Sequence, residues 1–204
     1  MDVSKHYDFI YKNEDPFGTD ADRIVKKILE YKTKGLVLDL GAGQGRNSVF
    51  LAKQGFDVSA IDISSIGIEK LTEKANSFGL KIDAKVGDIR DLKGTGAYDV
   101  ILAIFVLHHL ELEQAEKLIS VVKEKTEPNG LNVICAFTKE GDFYKNPKSK
   151  NDFYPNQGEL KKVYSDWEVL FWEEKETRAY QKRPDGNPMV NTASFLIVQK
   201  INSS

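Results

Sequence analysis

Three closely spaced glycines and two aspartates are the residues of this sequence whose types and spacing best suit ligand binding. Gly41, Gly43 and Gly45 follow Asp39 in the run LDLGAGQGRN, and Asp62 comes 21 residues after the first glycine. Glycine lets a ligand approach the backbone because it carries no Cβ. A carboxylate at Asp62 can accept hydrogen bonds from both hydroxyls of a ribose. The pattern therefore predicts a site for a cofactor that contains a nucleoside.

The spacing of the glycines separates two classes of cofactor. Loops that bind nicotinamide dinucleotides read G-x-G-x-x-G, whereas the glycines here read G-x-G-x-G. Asp39 also lies two positions before the first glycine, where a carboxylate repels a pyrophosphate but suits a ligand with a cationic amino-acid tail. We therefore expect S-adenosylmethionine. An NAD-dependent oxidoreductase and a Rossmann-like domain that binds no nucleotide are the alternatives.

The elements that position these residues follow an alternating pattern. Five apolar runs predict strands, at residues 35–40, 57–62, 82–86, 98–103 and 131–137. Three amphipathic segments predict the intervening helices, at residues 45–54, 64–79 and 111–126. Strands joined by crossover helices form a parallel sheet with helices on both faces. The glycines and Asp62 then lie at the carboxyl edge of that sheet, where such folds bind ligands.

The two ends of the chain depart from this alternation. Residues 19–31 predict a helix capped by Thr19 or Asp20, residues 138–158 a polar loop or lid, and residues 159–164 a short helix. Extended runs at 167–176 and 191–200 flank a turn-rich joint, which is typical of an antiparallel hairpin. We expect one domain over residues 1–204, with a helical lid (1–34), a cofactor-binding core (35–137) and a C-terminal part (138–204).

The composition narrows the class of partner. The 204 residues include 29 basic and 31 acidic side chains, a formal charge of −2, so no basic excess is present to neutralise nucleic-acid phosphates. No stretch reaches the roughly 18 apolar residues that span a bilayer, and the first residues do not resemble a signal peptide. We expect a cytoplasmic monomer or homodimer that acts on a small molecule, and not on nucleic acid or membrane.

The cysteine and the histidines do not predict a metal site. Cys135 lies in an apolar run, which is typical of a buried, inert thiol, and no base stands beside it in the sequence. The three histidines and the cysteine lack the spacing of zinc ligands. We therefore expect no metal and no catalytic cysteine.

Four segments, in order, resemble the motifs of class I S-adenosylmethionine-dependent methyltransferases. Residues 37–45 resemble the first motif, 58–62 the second, 87–89 the third and 98–101 the fourth. The resemblance implies a Rossmann-like fold in which the glycines lie under the methionine portion, with Asp39 nearby. It implies that Asp62 binds the ribose and Asp88 the adenine amino group. The cofactor-binding positions that follow are Asp39, Gly41, Ala42, Gly43, Gly45, Arg46, Asn47, Asp62, Ile63, Asp88, Ile89 and Ala103.

In similar enzymes the segment before the first strand folds over the cofactor. Tyr11 and Phe17 are then candidate lid residues and complete the cofactor-binding set. Aromatic side chains in such a segment can equally be packing residues, and that alternative stays open.

A narrower resemblance links the chain to the tellurite-resistance methyltransferase family. Residues 45–48, 55–58, 158–168 and 185–187 carry it. It implies methylation of an oxyanion or a related small nucleophile, such as tellurite, another chalcogen or a thiol. Members of that family present histidine and arginine on the C-terminal hairpin, whereas residues 177–183 read TRAYQKR. Arg178 is therefore the candidate for the positive charge there, with Arg183 as the alternative.

His108 and His109 follow the fourth predicted strand, near the expected methyl-transfer site. Histidine titrates near neutrality, so either is a candidate general base. The structural alternative is that one packs against its neighbours and the other caps the next helix. The expected function is methyl transfer from S-adenosylmethionine to a small acceptor, with a non-catalytic protein that binds this cofactor as the alternative.

Overall fold

Helices and strands alternate through the residues that the structure, a computed structural model, describes: 3–92, 96–145 and 152–201. The strands are β1 Leu36–Leu40, β2 Asp57–Asp62, β3 Ile82–Val86, β4 Tyr98–Ile104, β5 Thr126–Gly141, β6 Glu168–Lys182 and β7 Pro188–Gln199. The helices are α1 Val3–Asn13, α2 Arg23–Lys26, α3 Arg46–Lys53, α4 Ser65–Ser77, α5 Leu112–Glu124, α6 Asp142–Lys145 and α7 Glu159–Val163. Single 3₁₀ turns lie at Lys27–Glu30, Ile89–Asp91 and Leu107–His109.

The strands form one seven-stranded sheet in the order β3-β2-β1-β4-β5-β7-β6. Strands β1, β2 and β3 pair in parallel, with Leu40 opposite Ile61. Strand β7 pairs antiparallel with both β5 and β6. The predicted α/β Rossmann-like fold, a mostly parallel sheet that ends in an antiparallel hairpin, is confirmed.

The chain divides into two compact units, Met1–Leu102 and Ala103–Ser204, and the division falls inside β4. In the first unit Ala60, Ile68 and Leu71 pack between β2 and α4 as part of its core. In the second unit the fully buried Tyr164 donates its hydroxyl to Asn132 Oδ1 at 3.1 Å, which joins the end of α7 to β5.

Side-chain caps explain where two of the long helices begin. Ser64 caps α4 by accepting a hydrogen bond from the Gly67 N–H at 3.0 Å. Glu111 and Gln114 form a capping box at the start of α5. No helix among the described residues is both long and apolar enough to cross a bilayer.

The structure corrects several sequence predictions at the two ends. Helix α1 had not been predicted, and the helix expected at 19–31 is the short α2 with a following 3₁₀ turn, preceded by Asp22 instead of Thr19 or Asp20. The strand expected at 131–137 is longer at both ends, because β5 begins at Thr126 and continues to Gly141 before α6. The loop expected at 138–158 is thus partly regular, and its residues 146–151 lie outside the described part.

Candidate functional site

The loop of residues 41–45, here called the glycine loop, joins β1 to α3 and is held against the end of β2. The N–H groups of Gly41 and Ala42 both donate to the Ile61 carbonyl, at 2.8 and 3.1 Å. Gly43 and Gly45 have φ of 54° and 78°, in the left-handed region that favours glycine. A Cβ at Gly43 would lie 2.6 Å from the Tyr11 hydroxyl oxygen, so this position requires glycine for space as well.

Asp62 fixes the centre of the glycine loop. Its Oδ2 accepts from the Gly43 N–H at 2.7 Å, and its Oδ1 accepts from the Ser64 N–H at 2.8 Å. Burial raises the pKa of the Asp62 carboxyl, and the two backbone hydrogen bonds oppose that rise. A carboxylate has about four lone-pair sites, so each oxygen retains capacity for one further donor. Asp62 therefore joins the loop to the start of α4 and can still accept from a ligand.

Asp39, on β1, supplies a second buried carboxylate beneath the loop. The Ser48 hydroxyl on α3 donates to its Oδ2 at 2.6 Å. Burial raises the pKa of Asp39 to about 6, while the Ser48 hydrogen bond and the Arg46 charge lower it. The group remains mostly ionised at neutral pH, so the loop lies in a region of negative potential.

Helix α1 lies against the glycine loop and α4. The Ser4 hydroxyl donates to the Ile63 carbonyl at 3.2 Å. Asp8 Oδ1 accepts from the Ser64 hydroxyl at 2.6 Å and from the Ile66 N–H at 3.2 Å. Tyr11 is buried beside Gly43, and burial, followed by the charge of Asp62, raises the pKa of its hydroxyl. The structure thus places the candidate lid residue Tyr11 directly on the glycine loop.

Gln44 and Arg46 tie the rest of the N-terminal segment to the loop. Gln44 Nε2 donates to the Glu14 carbonyl at 3.1 Å, and Arg46 donates to the Phe17 carbonyl at 3.3 Å and pairs with Asp22. Gln44 Oε1 is buried and has no hydrogen-bond partner among the described residues. The glycine loop therefore retains one buried acceptor, Gln44 Oε1, which suits a cationic or N–H group of a ligand.

Two residues predicted to bind the cofactor, Asn47 and Phe17, make contacts other than those expected. Asn47 is buried and its Oδ1 accepts from the Asp22 N–H at 2.9 Å, so it also holds the N-terminal segment. The Phe17 ring is 42% exposed, with its centroid 6.4 Å from that of Tyr11. Phe17 lies in the lid segment as expected but is not enclosed there.

The third motif lies at the end of β3. Asp88 caps the following 3₁₀ turn by accepting from the Arg90 N–H at 2.9 Å. The Arg90 guanidinium lowers the pKa of Asp88, so this carboxylate stays charged. Ile89 is buried, and the Gly87 N–H donates to the Asp62 carbonyl at 2.9 Å, which links the second and third motifs. The predicted cofactor residues up to Asp88 and Ile89 thus share one unit.

In the second unit, the residues after β4 lead into a group of rings. We call Phe105, Phe137, Phe143, Tyr154 and Phe195 the aromatic cluster. Ala103 is buried at the end of β4, two residues before Phe105. The His108 ring lies 5.0 Å from that of Phe137 and 6.0 Å from that of Phe143. The His109 ring lies 4.0 Å from His108.

The structural alternative for the histidines holds only in part. His108 packs among the rings of the aromatic cluster, as that alternative expected. Neither histidine caps the next helix, because Glu111 does so through its capping box with Gln114. The geometry therefore leaves a chemical role for His108 or His109 as a prediction.

Arg178 is not brought together with the histidines. It is exposed on β6 opposite Val190, whereas its neighbour Thr177 lies opposite Asn191. Since neighbouring residues of a strand point to opposite faces, Arg178 points away from the face that carries Asn191. Arg183 donates from Nε to Asp142 Oδ2 at 2.6 Å and is paired there.

Several residues of these sites had not been predicted. In the first unit they are Asp8 and Gln44, and in the second the aromatic cluster and Asn191. The spacing of Tyr7 and Tyr11, one helical turn apart, was a usable signal for α1. Residues of the aromatic cluster come from segments far apart in sequence, so no local sequence pattern predicted that they would meet.

Comparison with known proteins places these features in a family. The family model described as "Tellurite resistance protein TehB" matches residues 3–194. A probable S-adenosyl-L-methionine-dependent methyltransferase TehB of Haemophilus influenzae is 32% identical over 164 residues, which cover 80% of this chain and 57% of the relative. A ubiquinone biosynthesis O-methyltransferase of Rickettsia canadensis is 33% identical over 119 residues, 57% of this chain and 50% of the relative.

The comparison of folds agrees with the comparison of sequences. The crystal structure of TehB from Haemophilus influenzae superposes with a TM-score of 0.81 at 28% identity, covering 95% of this chain and 66% of that one. This chain thus spans about half to two thirds of the length of these relatives.

Proposed function

We propose that this chain, which belongs to the TehB family of tellurite resistance proteins, binds S-adenosylmethionine and transfers its methyl group to a small-molecule acceptor. The observation that supports this most is the glycine loop with its buried acids. Asp62 accepts from the Gly43 N–H at 2.7 Å, and Asp39 lies buried on β1 two residues before the first glycine. The names of the relatives point to the same chemistry.

The residues present fit this cofactor better than a dinucleotide. Asp39 and Asp62 are buried at the glycine loop, and Asp8 on α1 contacts the start of α4. These carboxylates oppose a pyrophosphate but attract the ammonium group of a methionine tail. Gln44 Oε1, which has no partner among the described residues, is an acceptor suited to that ammonium. An NAD-dependent oxidoreductase is correspondingly disfavoured.

Residues of the first unit would hold this cofactor in the ways that their geometry allows. Asp62 would accept from the ribose hydroxyls with its remaining lone pairs, and Asp88 from the adenine amino group beside Ile89. The backbone of the glycine loop would contact the methionine portion. Tyr11 and the rest of α1, which cover the loop, would keep water away from the bound molecule.

The bound cofactor supplies a methyl group already activated by a sulfonium, so the main task of the protein is alignment. Holding the acceptor in line at about 3 to 3.5 Å can contribute several kcal/mol. A thiolate or a chalcogen nucleophile needs no strong base, whereas a hydroxyl does. His108 or His109, which lie after β4, are the candidates for that base. Tellurite is the acceptor that the family name suggests.

The experiment that tests this proposal measures S-adenosylhomocysteine released by the purified protein. The reactions contain S-adenosylmethionine with sodium tellurite, with small thiols or with phenols, and a reaction without acceptor is the control. We expect release that depends on an acceptor. Tight binding of S-adenosylmethionine without release would favour the non-catalytic alternative. Binding of NAD with no affinity for S-adenosylhomocysteine would overturn the proposal.

A further inference from the structure

The second unit contains a buried asparagine whose amide nitrogen has no partner. Asn191 on β7 is 2% exposed, and its Oδ1 accepts from the Phe143 N–H at 2.8 Å. Because a backbone N–H can only donate, this bond fixes which way the amide points. Asn191 Nδ2 is then directed elsewhere and makes no hydrogen bond with any residue that the structure describes.

A second buried asparagine in the same unit shows what a purely structural amide looks like. Asn132 on β5 is fully buried, donates from Nδ2 to Thr126 Oγ1 at 2.6 Å and accepts at Oδ1 from the Tyr164 hydroxyl at 3.1 Å. A buried donor that has no acceptor destabilises the folded protein, because the donor has lost its hydrogen bond to water. Asn132 avoids that cost and Asn191 does not, which indicates that Asn191 is kept for a ligand that supplies the missing acceptor.

Asn191 lies on the same face of the sheet as the aromatic cluster. In the pairing of β5 with β7, Phe137 is opposite Ala193 and Gly141 is opposite Asn191. Alternate residues of a strand share a face, so Asn191, Ala193 and Phe195 point the same way. The Phe143 backbone that binds Asn191 also carries a ring whose centroid lies 4.8 Å from that of Phe137.

The rings of the cluster contact one another, and several of them keep one part of their surface uncovered. Phe105 stacks on Phe137 at 4.7 Å and meets Phe195 edge-on at 5.8 Å. Phe105, Phe143 and Phe195 each keep part of their surface exposed, unlike Phe137. An aromatic molecule placed against these rings would extend a stacked and edge-to-face arrangement of the kind that aromatic pairs prefer.

The backbone of Phe105, whose ring belongs to this cluster, is strained. Its φ of 53° lies in the left-handed region, which is unfavourable for a bulky side chain. Residues held in such a conformation are unfavourable for folding, and they concentrate at ligand sites. Phe105 directly follows β4, at the edge of the sheet where related folds bind their ligands.

The charges near the cluster do not favour a small oxyanion. Lys175 Nζ lies 4.9 Å from the centroid of the Phe195 ring and is paired with Glu173 at 2.7 Å. Arg183 is paired with Asp142, next to Phe143. A doubly charged anion would have to compete with these carboxylates for each cation and would face the negative faces of the rings.

We propose that the acceptor is a planar aromatic molecule that stacks against the aromatic cluster and whose oxygen accepts a hydrogen bond from Asn191 Nδ2; this rests on the methyl transfer proposed above. For an aromatic thiol, the proton first leaves to solvent and the thiolate sulfur then attacks the methyl carbon. A new carbon–sulfur bond forms as the bond from the methyl group to the sulfonium breaks. The electron pair of that bond returns to the cofactor sulfur, giving S-adenosylhomocysteine and an aryl methyl thioether.

The test compares aromatic acceptors that differ in one hydrogen-bonding group. Thiophenol presents only the ring and the thiol, whereas the ortho, meta and para mercaptobenzamides add a carbonyl oxygen. We expect at least one mercaptobenzamide to have a KM about tenfold below that of thiophenol. In Asn191→Asp, which keeps an acceptor for the Phe143 N–H but loses the NH₂ donor, we expect the KM values of the two acceptors to become equal within about twofold, so that the carbonyl advantage vanishes.

Asn132→Asp is the matched control, because it alters a buried asparagine whose two partners are both inside the protein. It should lower the melting temperature and leave the ratio of the two KM values unchanged. Asn191→Leu, whose side chain has no donor or acceptor, should lose the carbonyl advantage in the same way. Two results would overturn the inference: turnover of tellurite but not of the aromatic thiols, or an equal effect of Asn191→Asp on both aromatic acceptors. Both leave methyl transfer itself intact, whereas failure to bind S-adenosylmethionine would remove the proposed function.

Discussion

The candidate sites of the two units are formed by different kinds of chemical groups. In the first unit, the candidate site is formed by backbone N–H groups and buried carboxylates, as in the hydrogen bond from the Gly43 N–H to Asp62. In the second unit, aromatic side chains and one amide form the candidate acceptor site around Phe137 and Asn191. Every residue supplies backbone groups, so the first site needs specific residues only at the glycines and the aspartates. The second site is made of side chains, and its binding properties change whenever those side chains are substituted.

This difference predicts that the proposed cofactor site and the proposed acceptor site can change independently of each other. The matches include a TehB methyltransferase and a ubiquinone biosynthesis O-methyltransferase. Under the acceptor site proposed above, a change of acceptor would require new rings and polar groups in the second unit. A change of cofactor would require a new path of the backbone around Gly43 and Gly45, which have positive φ.

The largest effect that we expect comes from Asp62→Ala. The substitution removes the acceptor of both the Gly43 and the Ser64 N–H groups, and it removes the proposed ribose contact. We expect the affinity for S-adenosylhomocysteine to fall by about 100-fold or more, equivalent to about 2.7 kcal/mol. Calorimetric titration measures it. Asp57→Ala, an exposed acid at the start of the same strand, is the control and should bind normally. Unchanged affinity in Asp62→Ala would remove this residue from the site.

The second prediction concerns the contact between the lid and the loop. In Gly43→Ala the new Cβ would lie 2.6 Å from the Tyr11 hydroxyl oxygen, at a φ of 54°. We expect about a tenfold loss of S-adenosylhomocysteine affinity, because α1 must shift away from the loop. Gly55→Ala is the control: its φ is 91°, but a Cβ there meets nothing within 4 Å.

The double variant Gly43→Ala with Tyr11→Phe separates the two causes of that loss. Removing the hydroxyl removes the atom that the new Cβ meets first. Partial recovery of affinity would show that Tyr11 covers the bound cofactor. No recovery would show that backbone strain at residue 43 alone is responsible.

The same difference, between a site formed largely by backbone groups and one formed by side chains, decides what could be predicted from the sequence. The glycine loop and Asp62 were predicted because a site built on backbone needs glycine at fixed spacings, which a sequence displays directly. Helix α1 was missed although Tyr7 and Tyr11 stand one helical turn apart, because much of what holds it is polar, through Ser4 and Asp8. Its buried residue is a tyrosine, Tyr11.

The second unit resisted prediction for a different reason. Phe105 and Phe137 are neighbours only because the strands bring them together, and Asn191 joins them through the register of β5 with β7. That register is a tertiary property. The positive φ of Phe105 could not be anticipated either, because bulky residues ordinarily avoid that region.

The third prediction is a dependence of stability on pH that belongs to the first unit. Burial raises the pKa of Asp39 from 3.8 to about 6, so the folded state holds its proton more tightly than the unfolded state. This contribution to stability is complete below about pH 4 and is lost as the pH rises through about 6. In Asp39→Asn, which can still accept from Ser48, the loss disappears. We expect the variant to gain about 2 kcal/mol relative to the wild type between about pH 4.5 and about pH 8.

Urea unfolding across that range measures the difference between the two proteins. Ser48→Ala is the companion variant: its missing hydroxyl would have favoured the ionised form, so it should destabilise the protein more at high pH than at low pH. Parallel curves for wild type and Asp39→Asn would show that Asp39 is not the group responsible. Weaker binding of S-adenosylmethionine by the more stable Asp39→Asn would show that the buried charge serves the cofactor.

The smallest effect is expected in the second unit, at His109. If alignment of the acceptor dominates, His109→Ala should lower turnover of thiophenol by less than about tenfold and leave the affinity for S-adenosylhomocysteine unchanged. Steady-state rates from about pH 6 to about pH 9 measure this, with His6→Ala on α1 as the control histidine. With a phenol in place of the thiol, a loss of about a hundredfold or more and a flattened pH profile would identify His109 as a general base. The second unit would then take part in proton transfer as well as in holding the acceptor, so titratable groups would matter in both units.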